Sequence, residues 1–179
     1  PDYASHLSMM ASLALARALR KLAPDSNSIT IKWPNDVLMG KRKIGGILIE
    51  SSLAEEPHRN FSIVGMGVNV NFDPSQFPEI ASIATSIMSE CGREFDRSTA
   101  LRLVLAHLDR YYAQIKSGIS PTSEWASRLE TLGKLVQVRW RNKVIDGTAE
   151  TVDDQGNLVV RQSDGSKISV VAGEVTLQV

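Results

Sequence analysis

The sequence predicts an α+β domain followed by a small all-β domain, and three patterns support this fold class. Residues 5–22 and 98–118 have apolar side chains at the three- and four-residue spacing of amphipathic helices. Between them, residues 29–70 contain short β-branched runs interrupted by turn-forming residues. From Lys134 onward apolar and polar residues alternate, which is the period of a strand with one buried face.

The first predicted helix covers residues 5–22. Leu15, Leu19 and Leu22 share one face of it, and the alanines around them favour helix formation and close packing. Residues 24–27 have the sequence Pro-Asp-Ser-Asn, a cluster of turn formers, and we expect the helix to end there.

A strand, a hairpin and a further strand follow this helix. Residues 29–33 are a β-branched strand, and residues 37–50 predict a β-hairpin with a basic tip at residues 40–43. Residues 51–60 are polar and predict a loop. Residues 61–70 predict the next strand, which contains two glycines.

Helices return in the middle of the chain. Residues 71–78 predict a loop, residues 83–90 a short helix and residues 121–132 a last helix. Between them lies a longer helix for which Ser98 is the candidate N-cap and Gly118 the terminator. Its predicted apolar face contains Leu101, Leu105, Leu108, Tyr112 and Ile115.

The last part of the chain predicts a separate β-domain. About five short strands, separated by turn clusters at residues 153–157 and 163–165, are typical of a small antiparallel barrel or sandwich. The change of period falls near Leu132-Gly133. We therefore expect two domains, residues 1–132 and residues 133–179.

The composition is that of a globular protein, with 42% hydrophobic and 22% charged residues. The formal net charge is zero, whereas a general nucleic-acid binder usually has a basic surplus, so we expect no nucleic acid among the partners. No apolar run is long enough to cross a bilayer, and we expect no membrane contact. The single Cys91 rules out an intrachain disulfide and favours a reducing, cytoplasmic compartment.

Two polar positions after the first strand are candidate ligand contacts. Pro34 ends that strand and is expected to place Asn35 and Asp36 in a loop, where a sheet presents side chains to ligands. Asp36 could hold a metal ion or a cationic group. Asn69, at the end of the strand that contains the two glycines, adds an amide that could bind a base edge or a hydroxyl.

A lysine and two pairs of glycines complete this candidate site. Lys43 lies just before Gly45 and Gly46, and a lysine beside glycines can meet an anion that approaches the backbone closely. Gly65 and Gly67 on the next strand form a second glycine pair that would also allow a ligand to approach the backbone closely. Each motif alone has an ordinary alternative, because basic hairpin tips are usually solvated and strand glycines often mark bulges. Their concentration on consecutive strands predicts a ligand site.

These motifs resemble the signatures of the biotin protein ligase family. Residues 32–36 have the sequence Lys-Trp-Pro-Asn-Asp, residues 42–50 Arg-Lys-Ile-Gly-Gly-Ile-Leu-Ile-Glu, and residues 65–71 Gly-Met-Gly-Val-Asn-Val-Asn. The C-terminal strands are similar in position and pattern to that family's SH3-like domain. The resemblance implies an α+β catalytic domain with a mixed sheet backed by helices, related to lipoyl ligases and class II synthetases, and a C-terminal SH3-like β-barrel.

The resemblance also implies an activity, that of a biotin–[acetyl-CoA-carboxylase] ligase. Biotin and ATP form biotinyl-5′-AMP and pyrophosphate, and biotin then passes to a lysine of a biotin carboxyl carrier protein. Lys43 matches the family's catalytic, biotin-contacting lysine, which stabilises charge on the reacting phosphate. Asp36 matches a catalytic aspartate near the adenylate that is associated with Mg²⁺.

The remaining site residues follow from the same match. Asn35 and Asn69, together with Asp36, are implied in ATP binding, and Gly45 and Gly46 in biotin binding. Lys41 and Arg42 are expected to be solvated. Family members commonly dimerise by sheet extension, which makes a homodimer an expectation here too.

One departure from the family pattern leaves two alternatives open. The family has an arginine-rich loop upstream that folds over the adenylate, and this chain begins at the helix that follows it, so the intermediate is expected to leak. We expect a piece of a longer ligase. The alternatives are a non-catalytic binding or regulatory relative, and a lipoate–protein ligase, against which the Lys-Trp-Pro-Asn-Asp signature argues.

Overall fold

A computed structural model of the protein describes residues 3–24, 28–52 and 61–177. Part of the predicted turn at residues 24–27 and most of the predicted loop at residues 51–60 lie outside these described residues.

The described chain contains four α-helices, a short 3₁₀ helix at Pro74–Gln76 and nine strands. The helices are α1 (Tyr3–Leu22), α2 (Ile87–Cys91), α3 (Arg97–Lys116) and α4 (Thr122–Ala126). The first four strands are β1 (Ile29–Lys32), β2 (Asp36–Met39), β3 (Arg42–Ser52) and β4 (Phe61–Val68). The other five are β5 (Leu135–Trp140), β6 (Lys143–Val152), β7 (Leu158–Arg161), β8 (Lys167–Val170) and β9 (Glu174–Leu177). None of the helices in the described residues is long and apolar enough to cross a membrane.

The first sheet has the order β1-β2-β3-β4, with every neighbouring pair antiparallel. Two isolated bridges add parallel pairing, Ile31 with Leu129 and Lys43 with Ala84. Helix α1 packs against this sheet and against α3. The predicted α+β class, with a mixed sheet backed by helices, is confirmed.

The second sheet is antiparallel and has the order β8-β7-β6-β5-β9. Alternate residues of its strands point inward, which is why the sequence has period two there. The fully or nearly fully buried ones are Val136, Val138, Ile145, Ala149, Leu158, Val160, Val170 and Val175. The prediction of a small antiparallel C-terminal β-domain is therefore confirmed.

Helix α1 lies at the centre of the molecule. Leu15 and Leu19 pack in one hydrophobic cluster with the first sheet, whereas Met9 and Leu13 belong to a second cluster that includes the C-terminal sheet. A helix that packs on two sides in this way needs apolar residues over most of its surface, which explains its run of alanine, leucine and methionine. Arg17 and Arg20 lie on the part that stays accessible to solvent. Since the second cluster joins both predicted domains, the boundary at Leu132-Gly133 stays a prediction.

Two short helices differ from their predicted bounds. Helix α2 begins at Ile87, not at residue 83, because Ser86 caps it and the preceding residues form turns. Helix α4 ends at Ala126, and the chain then turns so that Leu129 bridges to β1. In both places a long-range backbone pairing replaces the local helical bonds.

Helix α3 has the predicted length but a different buried face. Its N-cap is Asp96, whose carboxylate accepts from the backbone N–H groups of the first turn, in place of the predicted Ser98. The buried residues are Ala100, Val104 and Tyr111, whereas Leu101 is 58% exposed. Most of the buried positions of α3 therefore lie one residue before the predicted ones, but the predicted Leu108 and Ile115 are partly buried and also pack against the hydrophobic clusters.

A polar network ties the three helices α1, α3 and α4 together. The Nη2 of Arg17 donates to Oε1 of Glu124 at 2.6 Å, and the hydroxyl of Tyr111 donates to the same oxygen at 2.7 Å. Burial raises the pKa of the Glu124 carboxyl, but the hydrogen bonds from Tyr111 and Arg17 outweigh it, so this pKa is lowered overall. The Glu124 carboxylate therefore stabilises the fold most above the ordinary pKa of a glutamate, about 4.3.

We expect Glu124→Gln to lower the free energy of unfolding at pH 7 and to lose this effect in acid. A lowered native pKa contributes stability above the unfolded pKa, and that contribution disappears as the pH falls through the native pKa. Urea unfolding of both proteins at pH 7 and below pH ~4 checks this. A stability difference that stays constant over this pH range would show that Glu124 acts through its shape rather than its charge.

Candidate functional site

All six residues singled out as ligand contacts line one open cleft on the exposed face of the first sheet. The cleft has a volume of about 600 Å³. The six predicted residues are Asn35, Asp36, Lys43, Gly45, Gly46 and Asn69, and the other lining residues are Ile47, Leu48, Gly65, Met66, Gly67 and Ala84. Two of these others, Gly65 and Gly67, form the second glycine pair of the predicted site, so the sequence identified eight of the twelve lining residues and both charged groups.

The charged groups of the cleft are an ion pair. The Nζ of Lys43 lies 2.5 Å from Oδ1 of Asp36. Asp36 is the first residue of β2 and is paired with Gly46, so the prediction that it lies in a loop is wrong. The preceding turn consists of Trp33, Pro34 and Asn35. The lysine side chain is 50% exposed, which leaves it accessible to an entering anion.

A β-bulge aims Lys43 into the cleft. Lys43 pairs with Leu38 and Gly45 pairs with Val37, so Ile44 is the extra residue on β3. In a regular strand, residues three apart point to opposite faces, but one inserted residue puts them on the same face. Lys43 and Gly46 consequently share the cleft face, and a Cβ on Gly46 would lie 3.3 Å from Lys43 Nζ and from Asp36 Oδ1.

The glycines of the cleft have two different roles. A Cβ on Gly45 would lie 2.6 Å from the backbone oxygen of Gly67 and 2.8 Å from a methyl carbon of Leu15, so this glycine lets β3 approach β4 and α1. At Gly65 and Gly67 the nearest atoms to such a Cβ are 3.5 Å and 3.9 Å away. These two glycines are not required by packing, and they leave the cleft floor bare of side chains.

Both candidate asparagines are held by backbone groups. The Nδ2 of Asn35 donates to the carbonyl of Ile47 at 2.6 Å, and the backbone of Asn35 accepts from the N–H of Ile47. The Nδ2 of Asn69 donates to the carbonyl of Thr85 at 2.9 Å, while its N–H donates to Ile44. The fold therefore orients both amides in the cleft wall before any ligand binds.

Sequence reasoning missed the polar residues behind the cleft. Arg42, expected to be solvated, donates from Nη2 to Oε1 of Glu90 at 2.6 Å. The hydroxyl of Thr85 donates to the same oxygen, also at 2.6 Å. Thr85 and Glu90 follow Lys43 by about 40 residues or more, and no local sequence motif marks them. Only the tertiary structure therefore shows that they lie near the lysine.

Family models match two parts of the chain. Residues 1–69 match the biotin/lipoate A/B protein ligase family, and residues 131–177 match the biotin protein ligase C-terminal domain. The first match contains the Asp36–Lys43 pair and both glycine pairs. The second coincides with the C-terminal sheet.

Individual relatives agree with these matches. The bifunctional ligase/repressor BirA of Bacillus subtilis is 33% identical over 164 residues, which cover 90% of this chain and 50% of the relative. The biotin–[acetyl-CoA-carboxylase] ligase of Paracoccus denitrificans is 34% identical over 176 residues, covering 96% of this chain and 72% of the relative. The chain thus spans about half the length of the Bacillus relatives it matches.

A solved structure of similar fold contains ligands. The biotin protein ligase of Aquifex aeolicus in complex with biotin and ATP aligns with a TM-score of 0.79 at 25% identity, covering 97% of this chain and 71% of that one. The likeness extends through both sheets, since nearly the whole of this chain is aligned.

Proposed function

We propose that this chain, which belongs to the biotin protein ligase family, carries the adenylate-forming site of a biotin–[acetyl-CoA-carboxylase] ligase. The observation that carries the proposal is the Lys43–Asp36 ion pair over a cleft with a bare glycine floor. The Paracoccus relative is named for this activity. In the proposed reaction biotin and ATP form biotinyl-5′-AMP and pyrophosphate. A carrier-protein lysine then attacks the acyl carbon of this mixed anhydride, forms an amide with biotin and releases AMP.

Lys43 supplies the charge that the first step needs. That step brings together two anions, the carboxylate of biotin and the α-phosphate of ATP, and negative charge grows on the phosphate oxygens. A preorganised ammonium group at this point offsets the repulsion and stabilises the developing charge. In the free protein Asp36 holds the ammonium in the cleft, and the half-exposed lysine side chain leaves room for an anion to reach it.

The cleft offers separate surfaces to the two substrates. We place biotin along Gly45 and Gly46, beside the part of the cleft floor that Gly65 and Gly67 leave bare for a flat ring and its aliphatic tail. We place the nucleotide beside Asn35, Asp36 and Asn69, whose amides are already oriented. This division puts the reacting carboxylate and phosphate next to Lys43.

Asp36 fits a magnesium ion that arrives with ATP. Among the described residues no three histidine, cysteine or acidic side chains cluster as a metal site. Mg²⁺ commonly binds through one or two carboxylates together with substrate phosphates and water, so a single aspartate in a nucleotide cleft suits it. When bound, the ion would neutralise triphosphate charge.

The remaining assignments complete the proposal. The acceptor is a biotin carboxyl carrier protein, and the compartment is the cytoplasm, in keeping with the free thiol of Cys91. We further propose a homodimer formed by sheet extension at β4, the last strand of its sheet, where Phe61 and Ile63 are exposed. Sedimentation of the purified protein tests the dimer.

Biotin-dependent exchange of labelled pyrophosphate into ATP tests the function. It is measured on this chain and on the longest protein that its gene encodes, with biotin or lipoate as the acid. Exchange that requires biotin supports the proposal. Exchange with lipoate instead favours a lipoate–protein ligase, an activity also included in the matching family. Binding of a biotinyl-AMP analogue without exchange in either protein favours a non-catalytic relative.

A further inference from the structure

A buried carboxylate lies behind the cleft, outside the residues that the proposed reaction uses. The side chain of Glu90 is only 5% exposed, and its Oε1 accepts from Thr85 Oγ1 and from Arg42 Nη2, each at 2.6 Å. A buried charge is costly unless it is paired and hydrogen-bonded, and these two contacts meet that requirement. We call Arg42, Thr85 and Glu90 the Thr85 node.

Thr85 connects this node to two residues of the cleft. It is completely buried, and its backbone N–H donates to the carbonyl of Lys43 at 2.8 Å. Its own carbonyl accepts the side-chain amide of Asn69 at 2.9 Å. Thr85 therefore holds both the backbone of Lys43, the proposed catalytic lysine, and the side chain of Asn69, a proposed nucleotide-binding residue. Its hydroxyl is anchored to Glu90.

Lys43 depends on this support because it lies next to the β-bulge. The pairing of β2 with β3 shifts at that point, so the regular ladder does not hold Lys43 as it holds the residues of an unbroken strand. Its backbone is instead fixed on its other side, where its N–H donates to Ile83 and its carbonyl accepts from Thr85, both at 2.8 Å. A one-residue slip here would turn Lys43 away from the cleft.

We propose that the Thr85 node positions Lys43 and Asn69 for adenylate formation. Its three side chains are positioning residues: they act on the ligands through the backbone of Thr85. Arg42 and Lys43 are consecutive in β3 and point to opposite faces, so Arg42 is anchored to Glu90 behind the sheet while Lys43 faces the ligands. This inference rests on the proposed function and deepens it, because it names what orients the site.

The test compares Thr85→Val, which removes the hydroxyl and keeps the shape, with Thr85→Ser, which keeps the hydroxyl. A matched control exists on β1: the hydroxyl of Thr30 donates to Glu130, which is paired with Lys134 in the same way. Thr30→Val removes an equivalent hydrogen bond away from the cleft. Arg42→Ala is the second test variant, since Arg42 is partly exposed and its removal leaves the sheet pairing in place.

Two readouts are measured on each folded variant. The first is the ¹H–¹⁵N signal of the Asn69 side-chain amide and its rate of hydrogen exchange. The second is the KM for ATP and the kcat of biotin-dependent pyrophosphate exchange. For Thr85→Val we expect faster hydrogen exchange of the Asn69 side-chain amide, a raised KM for ATP and a kcat about 10-fold lower. The kinetic losses are expected because small displacements of positioned groups slow a reaction strongly. Thr85→Ser should restore these values, Arg42→Ala should change them in the same direction, and Thr30→Val should leave them unchanged.

The outcomes separate this inference from the proposed function. Unchanged Asn69 signals and kinetics in Thr85→Val and Arg42→Ala would overturn the inference, as would equal losses in Thr30→Val. If the unaltered protein shows no pyrophosphate exchange but Asn69 responds to Thr85→Val, the node does orient the cleft and the ligase function is what fails. If Thr85→Val does not fold, Arg42→Ala decides the matter, with Thr30→Val as its control.

Discussion

Replacing Lys43 with alanine is expected to lower biotin-dependent pyrophosphate exchange by about 100-fold or more, the usual effect of removing one preorganised charge-stabilising group. The loss should appear mainly in kcat, because the ammonium interacts most strongly with charge that develops on the phosphate in the transition state. Initial rates at saturating biotin and ATP measure it, in the longest protein that the gene encodes.

The fold should tolerate this change. Lys43 is half exposed, and an exposed ion pair such as Lys43–Asp36 contributes at most about 1 kcal/mol to stability. Lys41→Ala is the matched control, since Lys41 is exposed at the same hairpin tip and does not line the cleft. Equal rates for Lys43→Ala and the unaltered protein would remove Lys43 from the mechanism, and equal losses in both variants would indicate a general effect of hairpin charge.

Replacing Gly45 with alanine is expected to destabilise the protein by about 1–3 kcal/mol, the typical cost of an overpacked core. The added Cβ would lie 2.6 Å from the backbone oxygen of Gly67, so β3 and β4 would have to move apart. The end of the Leu15 side chain of α1 lies 2.8 Å from the same position and would have to shift as well. Urea unfolding at pH 7 measures the change.

Gly67→Ala separates packing from binding. A Cβ there has its nearest neighbour, the oxygen of Gly46, at 3.9 Å, so the free energy of unfolding should be almost unchanged. The methyl group would, however, project from the cleft floor and weaken the binding of a biotinyl-AMP analogue. If Gly45→Ala proves as stable as Gly67→Ala, the close approach of β3 to β4 and α1 is not needed for the fold.

Most of the predicted cleft residues are close together in the sequence, which explains why the cleft was predictable. Asp36, Lys43, Gly45 and Gly46 fall within eleven residues, so a hairpin centred on the basic tip places them near one another on two adjacent strands. Asn69 joins them because β4 is the next strand along the chain and pairs with β3. The identity of the cleft residues therefore followed from local pattern, whereas their hydrogen bonds did not.

The errors of prediction have a common origin in long-range packing. The helix predicted to begin at residue 83 gives way to a bridge between Ala84 and Lys43, and the true helix α2 begins at Ile87, whose N–H donates to Asn69. On α3, Leu101 and Val104 are equally apolar, and contact with α1 selects the second. Helical periodicity limits the apolar stripe to a few neighbouring positions, but the partner surface decides among them.

The sequence by itself determined the fold class, most of the strand positions, the family and eight of the twelve residues that line the cleft. These depend on period, turn chemistry and motif spacing, which act over a few residues. Only the tertiary structure decided the bulge at Ile44 that aims Lys43, the buried face of α3 and the burial of Glu90 beside Arg42 and Thr85. Each of these depends on atoms that are far apart in the chain. Strand register and the burial of a charged group both require hydrogen-bond partners, and here those partners come from distant segments.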